Sequence, residues 1–296
     1  MPLKKNWNFI RGCTKCSPIC TNCYAPRSFY NSGGKEKWSW AQGVDLTASP
    51  TEWTGTVHLG DLPLSPGQKP RKQSWDHLPA TWSRPQFVFC NDIGDTFHKA
   101  VPDTFLDRAF DVMDATPRHW YRVLTKRGLR MREYLTRRYP QGVPDHIQPG
   151  VSVGCMGDLH NAQHLSNIRC QGTRWLSMEP LIEAVILSPE VLDAIGFVVL
   201  GGESGTNARR MEPAWAQAVR DQVKAPGRSI KLHFKQWGNI GPDGVRRQKK
   251  HWVGVDLLDG VRYREFPDGQ DWWEPEDVKR MRKEGLLPNK AKRGGH

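Results

Sequence analysis

The 296-residue chain carries 43 lysines and arginines against 31 aspartates and glutamates, a formal net charge of +12, and 38% of its residues are hydrophobic. That is enough to bury a core without disulfide staples. No apolar run reaches the roughly 18 residues of a membrane-spanning helix, and the start, "MPLKKNWNFIRG", has no signal-peptide core or cleavage site. The expectation is a cytoplasmic protein with no membrane partner, whose basic surface meets an anion: nucleic acid, DNA first, or a nucleotide-like substrate.

In chain order, "NWNFIRG" is a candidate first strand that runs into "CTKCSPICTNCYA", where Cys13, Cys16, Cys20 and Cys23 crowd together. In a reducing compartment such a cluster binds metal or does redox chemistry more often than it forms bridges. The other three of the 7 cysteines, Cys90, Cys155 and Cys170, are dispersed and read as small apolar side chains. Beyond the cluster, "YNSGGKEKWSWAQG" (30–43) interleaves tryptophan, lysine and glycine, a composition able to stack on and clamp a base.

Seven strand-like runs follow: "TVHLGD" (56–61), "QFVFCND" (86–92), "YRVLTKR" (121–127), "GVSVG" (150–154), "RWLSMEP" (174–180), "GFVVLGGESG" (196–205) and "IKLHFKQWG" (230–238). Their spacings suit a strand, a helix and two loops. "PDTFLDRAFDVMDAT" has apolar Phe105, Ala109, Phe110 and Met113 at helical spacing, and "EPAWAQAVRDQVKAPG" opens on Glu212-Pro213 and stops at Pro226-Gly227. Up to eight strands alternating with helices predict an α/β fold, a parallel barrel that is partial or complete, with a small C-terminal appendage. The expected division is 1–240 for the barrel with its cysteine loop and 241–296 for a tryptophan-rich appendage and basic tail.

Nearly every strand ends in groups able to do chemistry: Asp61, Asn91-Asp92, Thr125-Lys126-Arg127, Ser152, Glu179, Glu203-Ser204 and Lys235-Gln236. In a parallel barrel these ends share one face, where barrel active sites lie. Gly201, Gly202 and Gly205 let backbone amides approach a ligand, and Glu203 can accept hydrogen bonds from a ribose or an amine. "LTKRGLRMREYLTRR" reads as a solvated basic face, in which Lys126 and Arg127, at a strand end, are better phosphate-binding candidates than Arg137 or Arg138. Asn91, Asp92, Asp95, His98 and Glu179 are substrate-contact candidates, or in the case of Asp95 a helix cap.

Thiolates suit zinc or iron–sulfur clusters. Only three residues separate the two Cys-x2-Cys pairs, tighter than structural zinc sites usually are, whereas iron–sulfur sites tolerate such runs. Cys16-x3-Cys20-x2-Cys23 has the spacing of the usual radical S-adenosylmethionine (SAM) motif, and Cys13-x6-Cys20-x2-Cys23 is a wider variant. Three thiolates on a 4Fe–4S cluster leave one iron for SAM, whose cleavage yields a 5′-deoxyadenosyl radical. The aromatic residue often found before the last cysteine is replaced by Asn22, and Tyr24 follows, placed to pack by the adenine or the cluster.

"WNFIRGCTKCSPICTNCYA", "VFCNDIGDTFHKAVPD", "VLTKRGLRM", "GVSVG", "LSMEPL", "VVLGGESG" and "FKQWG" together resemble a phage-associated three-Cys-motif protein family of unknown function that looks like a radical SAM branch. The resemblance spans roughly residues 5 to 240. It implies a radical SAM-type partial barrel, with Cys13, Cys20 and Cys23 as ligands of a 4Fe–4S cluster; Cys16, where that family has an aliphatic residue, is a fourth candidate. It further implies a phage-encoded enzyme fed by an electron donor. The expected function is radical SAM modification of a nucleic acid base or nucleoside, of the isomerase or lyase type. Tyr24, Ser152, Gly201, Gly202, Glu203, Ser204, Lys235 and Gln236 would lie at the cofactor, with Glu203 and Lys235 in the chemistry. The alternatives are a zinc-stabilised nucleic-acid-binding protein and a lesion-repair lyase, which "CTNCYA" resembles faintly.

Overall fold

The computed structural model describes residues 3–26, 58–59, 79, 82–247 and 254–267. Its main sheet has seven strands, all parallel, in the order β1 (Leu3–Asn6), β4 (Gln86–Cys90), β5 (Trp120–Thr125), β6 (Ile147–Ser152), β7 (Trp175–Met178), β8 (Phe197–Gly201) and β9 (Lys231–Gln236). The strands advance across the sheet without reversing. With crossovers of constant hand, every connecting helix falls on the same face. These are α1 (Asp103–Asp114), α2 (Gly128–Arg138), α3 (Leu159–Ser166), α4 (Pro189–Ala194) and α5 (Pro213–Val223). The sheet therefore curls as a half-barrel. Among the described residues β1 and β9 do not pair with each other, and these seven strands form an open half-barrel.

Side-chain alternation separates two interiors. Val88, Cys90, Tyr121, Val123, Val151, Leu176, Val198, Leu232 and Phe234 point outward into the main core beneath the helices. Their neighbours in sequence point inward: Phe89, Leu124, Trp175, Phe197 and Val199 form a second apolar cluster that receives Phe266. Register stacks these inner residues in rows, one of which runs Leu124, Gly150, Trp175, Phe197, Lys231. Gly150 is fixed by that row, because a Cβ there would stand 2.3 Å from the Trp175 ring.

The helices obey their patterns. The α1 helix buries Phe105, Leu106, Ala109, Phe110, Val112 and Met113, and α5 begins at Pro213 after Glu212 and stops at Val223. The start of α2 is set on α3 by close approach: Gly128 N–H donates to Asn161 Oδ1 at 2.8 Å, and a Cβ on Gly128 would meet the Asn161 backbone at 2.8 Å.

Two expectations change. The run 56–61 is not a barrel strand: His58–Leu59 (β3) pairs antiparallel with Ile10–Arg11 (β2), and β1 lies directly beside β4, leaving no place between them. The first barrel strand is Leu3–Asn6, upstream of most of "NWNFIRG". Asp61, the loop 30–43 and the tail after 267 lie outside the described residues. Arg264 bridges His233 antiparallel, Phe234 N–H donates to Tyr263 O, and Trp237 N–H donates to Val255 O, so residues 254–267 cover the β9 edge. No helix among the described residues is long and apolar enough to cross a membrane.

Candidate active site

The strand C-termini open into a cavity of about 470 Å³. Its wall gathers the cysteine loop with Asn91, Asp92, Lys126, Arg127, Ser152, Glu179, Glu203, Ser204, Lys235 and Gln236 from the strand ends, and Gly202 behind them. The convergence expected from the sequence is therefore met for all the described strand ends. What each group does there is set by its partners.

The cysteine loop is held on three sides. Its approach is docked by backbone: Ile10 N–H donates to the buried Asn91 Oδ1, and Asn91 Nδ2 donates to Thr96 Oγ1. Gly94 lies so close that a Cβ there would stand 2.6 Å from Ile10 O. Within the loop, Ser17 caps the 3-10 turn Pro18–Cys20, accepting from Ile19 N–H. On the far side, Glu203 is only 4% exposed and both its oxygens are engaged. Arg209 binds it through Nη2 at 2.6 Å, Nε at 2.9 Å and its backbone N–H at 2.8 Å. Asn22 Nδ2, between Cys20 and Cys23, donates to the same carboxylate at 2.9 Å, and Arg209 Nη1 reaches Pro18 O at 3.0 Å. Burial pushes the Glu203 carboxyl up, but the Arg209 and Asn22 hydrogen bonds outweigh it and keep it below its ordinary value. Glu203 is thus an anchor of the cysteine loop.

Arg127 grips the loop from the other side. Its guanidinium pairs with the buried Asp95 at 2.8 Å and donates to Thr14 O at 3.0 Å, Thr14 Oγ1 at 2.9 Å and Cys13 Sγ at 3.6 Å. Asp95 also accepts from Thr125 Oγ1, Lys126 N–H and Phe97 N–H. His98 Nε2 shares Thr14 Oγ1 at 3.0 Å. Lys126 is half-buried; burial works against its charge, but the neighbouring Cys20, Cys23, Asp95 and Cys13 outweigh it and hold its ammonium above the ordinary value. The Cys20 thiol is pulled down, first by a hydrogen bond from Cys16 and then by Lys126, while burial pushes Cys13 up to about 11. Cys16 is the exposed member of the four. The two strand-end cations therefore face thiols, not open solvent. Cys90 and Cys155 are buried elsewhere and Cys170 is half-buried.

The opposite wall is a second polar network. Lys235 Nζ donates to Glu179 Oε2 at 2.7 Å, and Gln236 Nε2 bridges Glu179 Oε1 and Ser204 Oγ, both at 3.0 Å. Asp92 accepts from Asn6 Nδ2 at 2.6 Å. Ser152 is buried on the wall, and Tyr24 stands on the rim, 60% exposed. Gly201 and Gly202 have a reason in the fold itself. A Cβ on Gly202 would stand 1.9 Å from Trp237 O, so β8 and the end of β9 meet there backbone to backbone.

Arg209, Asn22 and Thr14 were not expected from the sequence, because a clamp between distant loops leaves no local pattern. Arg122 did leave one: it is a charged residue at an inward position of a strand whose other residues before Thr125 are apolar. The α2 arginines are not at the site. Arg130, Arg137 and Arg138 pair with Asp103, Asp107, Asp111 and Asp114 along α1.

Among the described residues no three His, Cys, Asp or Glu side chains are drawn close enough to hold a metal ion. The donor set still fits a thiolate-held cluster in its chemistry: four soft sulfurs on one short loop, no carboxylate among them, and two cations against them.

A family model described as "protein of unknown function" (DUF5131) matches residues 3–267, so the chain belongs to that family. No curated protein matches the chain, and no solved structure does.

Proposed function

We propose that this member of the DUF5131 family is a radical SAM-type iron–sulfur enzyme that modifies a nucleic acid base or nucleoside, in the setting of phage DNA modification. The observation that carries the reading is the placement of the cysteine loop. It opens into the cavity at the C-terminal ends of a parallel half-barrel, where such folds keep their chemistry. Cys13, Cys20 and Cys23 would hold a 4Fe–4S cluster, the set that the family resemblance implies, with Cys16, the exposed one of the four, as a further candidate. When bound, the cluster and SAM together supply a carbon radical able to abstract hydrogen.

The chain's own residues do the rest. Glu203 and Arg209 hold the loop at Asn22 and Pro18, while Asp95 and Arg127 hold it at Thr14. Lys126 and Arg127 offset the negative charge of a thiolate-bound cluster, one of the factors that set its potential. The Lys235–Glu179–Gln236–Ser204 network offers ammonium, carboxylate and amide groups to the polar end of SAM or substrate.

Anaerobic reconstitution is expected to give about four irons and four sulfides per chain. Alanine at Cys13, Cys20 or Cys23 should abolish them, and Cys16→Ala should keep most. Reduced protein should then release 5′-deoxyadenosine from SAM. Stoichiometric zinc without sulfide would overturn the reading, and an essential Cys16 with a dispensable Cys13 would overturn the ligand set.

A further inference from the structure

Two turns follow β8 and β9 at the strand C-termini, beside the cavity. The first, 205–208, closes as Ala208 N–H donates to Gly205 O at 3.3 Å, with Gly205 at φ +121°. The second is the hairpin of "IGPDGVR" (240–246), in which Ile240 bridges Arg246 antiparallel and Gly241 N–H donates to Val245 O at 3.0 Å. Gly244, at φ +77°, makes its bend. Asn239 braces both turns: its Oδ1 accepts from Gly205 N–H at 2.7 Å, and its Nδ2 donates to Arg247 O at 2.9 Å.

Two arginines lace these turns together. Arg246 reaches from the hairpin to Gly205 O at 3.3 Å through Nη1 and to Ala208 O at 3.0 Å through Nη2, and Arg210 reaches back to Pro242 O at 2.8 Å. Carbonyls orient a guanidinium without cancelling its charge. The nearby carboxylates are engaged elsewhere: Glu203 with Arg209, Asp243 with Arg247, and Glu212 at 3.3 Å from Arg210. Arg246 is exposed and has no carboxylate partner among the described residues. The turn it spans carries Thr206 and Asn207 at its tip, both exposed. The same turn is tied to the site, because Asn22 Nδ2, between Cys20 and Cys23, donates to Asn207 O at 2.8 Å.

We infer that these two turns form a grip for the phosphate backbone of a nucleic acid strand, with Arg246 as its main cation, Arg210 as the second, and Thr206 and Asn207 as hydrogen-bonding partners. Arginine, hydroxyl and amide side chains are the usual holders of phosphate oxygens. The strand-end cations cannot serve, since Lys126 and Arg127 face the thiols and Lys235 is paired with Glu179. A strand held on this rim lies one hydrogen bond from the cysteine loop, and a base enters the cavity from it by leaving its stack. The nucleic acid partner is taken from the proposed function; the grip itself needs neither cluster nor SAM.

The test is a salt titration of the full-length protein, without SAM or reductant, against single-stranded and duplex oligonucleotides and the mononucleotides they contain. Affinity for the oligonucleotides is expected to fall with salt. Arg246→Gln should make the log–log slope shallower by one phosphate, about 0.7 for a single strand and 0.9 for a duplex, which is about five- to eightfold in affinity at 0.1 M salt. Arg210→Gln should act in the same direction but less, because Glu212 already offsets its charge. Arg246→Lys separates charge from architecture: it keeps the cation and loses the fork on the two carbonyls, so the slope should stay with Lys and drop with Gln. Thermal unfolding is followed throughout, and should Arg246→Gln fail to fold, Thr206→Glu carries the test, since a carboxylate at the exposed tip should weaken binding. The grip is overturned by oligonucleotide binding that is absent or independent of salt, or by mononucleotides that bind as tightly as oligonucleotides. It is equally overturned if the folded variants keep the parent slope, or if Lys and Gln at Arg246 lose equally. Iron, sulfide and 5′-deoxyadenosine release are measured on the parent protein. A cluster with SAM cleavage but no binding through these turns would overturn the grip alone, and such binding by a protein that assembles no cluster would overturn the enzyme reading alone.

Discussion

Residues 126 to 138 hold six cations, and the fold puts five of them in two environments. Lys126 and Arg127 end β5 and turn in, against Cys13, Cys20, Cys23 and Asp95. Three residues later the chain is helical and outside. Arg130, Arg137 and Arg138 lie along the aspartates of α1, with Asp103 shared by Arg130 and Arg137. The same residue types organise a buried site in one place and staple two surface helices in the other. Neither group is left as a free basic patch for nucleic acid, so the +12 charge of the chain does not by itself locate a DNA surface. If phosphates are gripped, other cations do it.

The inner pair should give the larger response. Asp95 and Arg127 side chains are 7% and 15% exposed, so Asp95→Asn leaves a buried guanidinium without its counter-charge. A loss of about 3 kcal/mol is expected by denaturant unfolding, together with poor retention of iron, because Thr14 and Cys13 lose the group that holds them. The pH dependence follows from the sign of the shift. Burial alone would raise the Asp95 carboxyl, but Arg127 and the hydrogen bonds hold it below its ordinary value. Its stabilising contribution is therefore complete above the unfolded carboxylate value of about 4 and is lost as pH falls through the lower folded value. The gap between parent and variant should be constant at neutral pH and close in acid. A gap unchanged down to the acid transition would mean that the ion pair is not what Asp95 contributes.

Much of this difference was legible, and its limits are physical. The inward and outward alternation of β4 to β9 follows from period-two patterning, and the convergence of strand ends follows from a parallel sheet. Asp103, Asp107, Asp111 and Asp114 fall three or four residues apart in α1, a stripe that already asks for cations opposite. By contrast, β1 reads "LKKN", with no apolar alternation, because an edge strand needs none. "TVHLGD" has strand composition but found no slot in the sheet, which only the pairing of β1 with β4 reveals. The glycines of "GGESG" advertise a ligand, yet Gly202 answers to Trp237 O, a contact 35 residues along the chain that no local pattern encodes.

Arg138 should give a middle response. Its guanidinium bonds Asp111 and Asp114 at 2.7 Å each and lies 5.4 Å from the Tyr139 ring centre, with 16% of the side chain exposed. Arg138→Ala should cost about 1 to 2 kcal/mol, through lost packing as much as lost charge. Iron content should be unchanged. A variant that unfolds normally but sheds iron would show that the helix pair supports the site, and the two environments would no longer be separate.

The smallest response is expected at Arg137, whose side chain is 58% exposed and whose partner Asp103 is 42% exposed. Pairs this open are worth at most about 0.5 to 1 kcal/mol and are screened by salt. Arg137→Ala should lower stability by no more than that at low ionic strength and by nothing measurable at high salt. The same variant tests the exterior cations as a DNA surface. Each phosphate neutralised contributes a slope of roughly −0.7 to −0.9 to the log–log dependence of affinity on salt. If Arg137 serves only α1, the slope for an oligonucleotide should not move. A slope shallower by one phosphate would mean that Arg137 leaves Asp103 for DNA, and that a paired arginine on this helix face still counts toward binding. Asp103→Asn then decides between the two, since it frees Arg137 and should steepen the slope only if that face meets the strand.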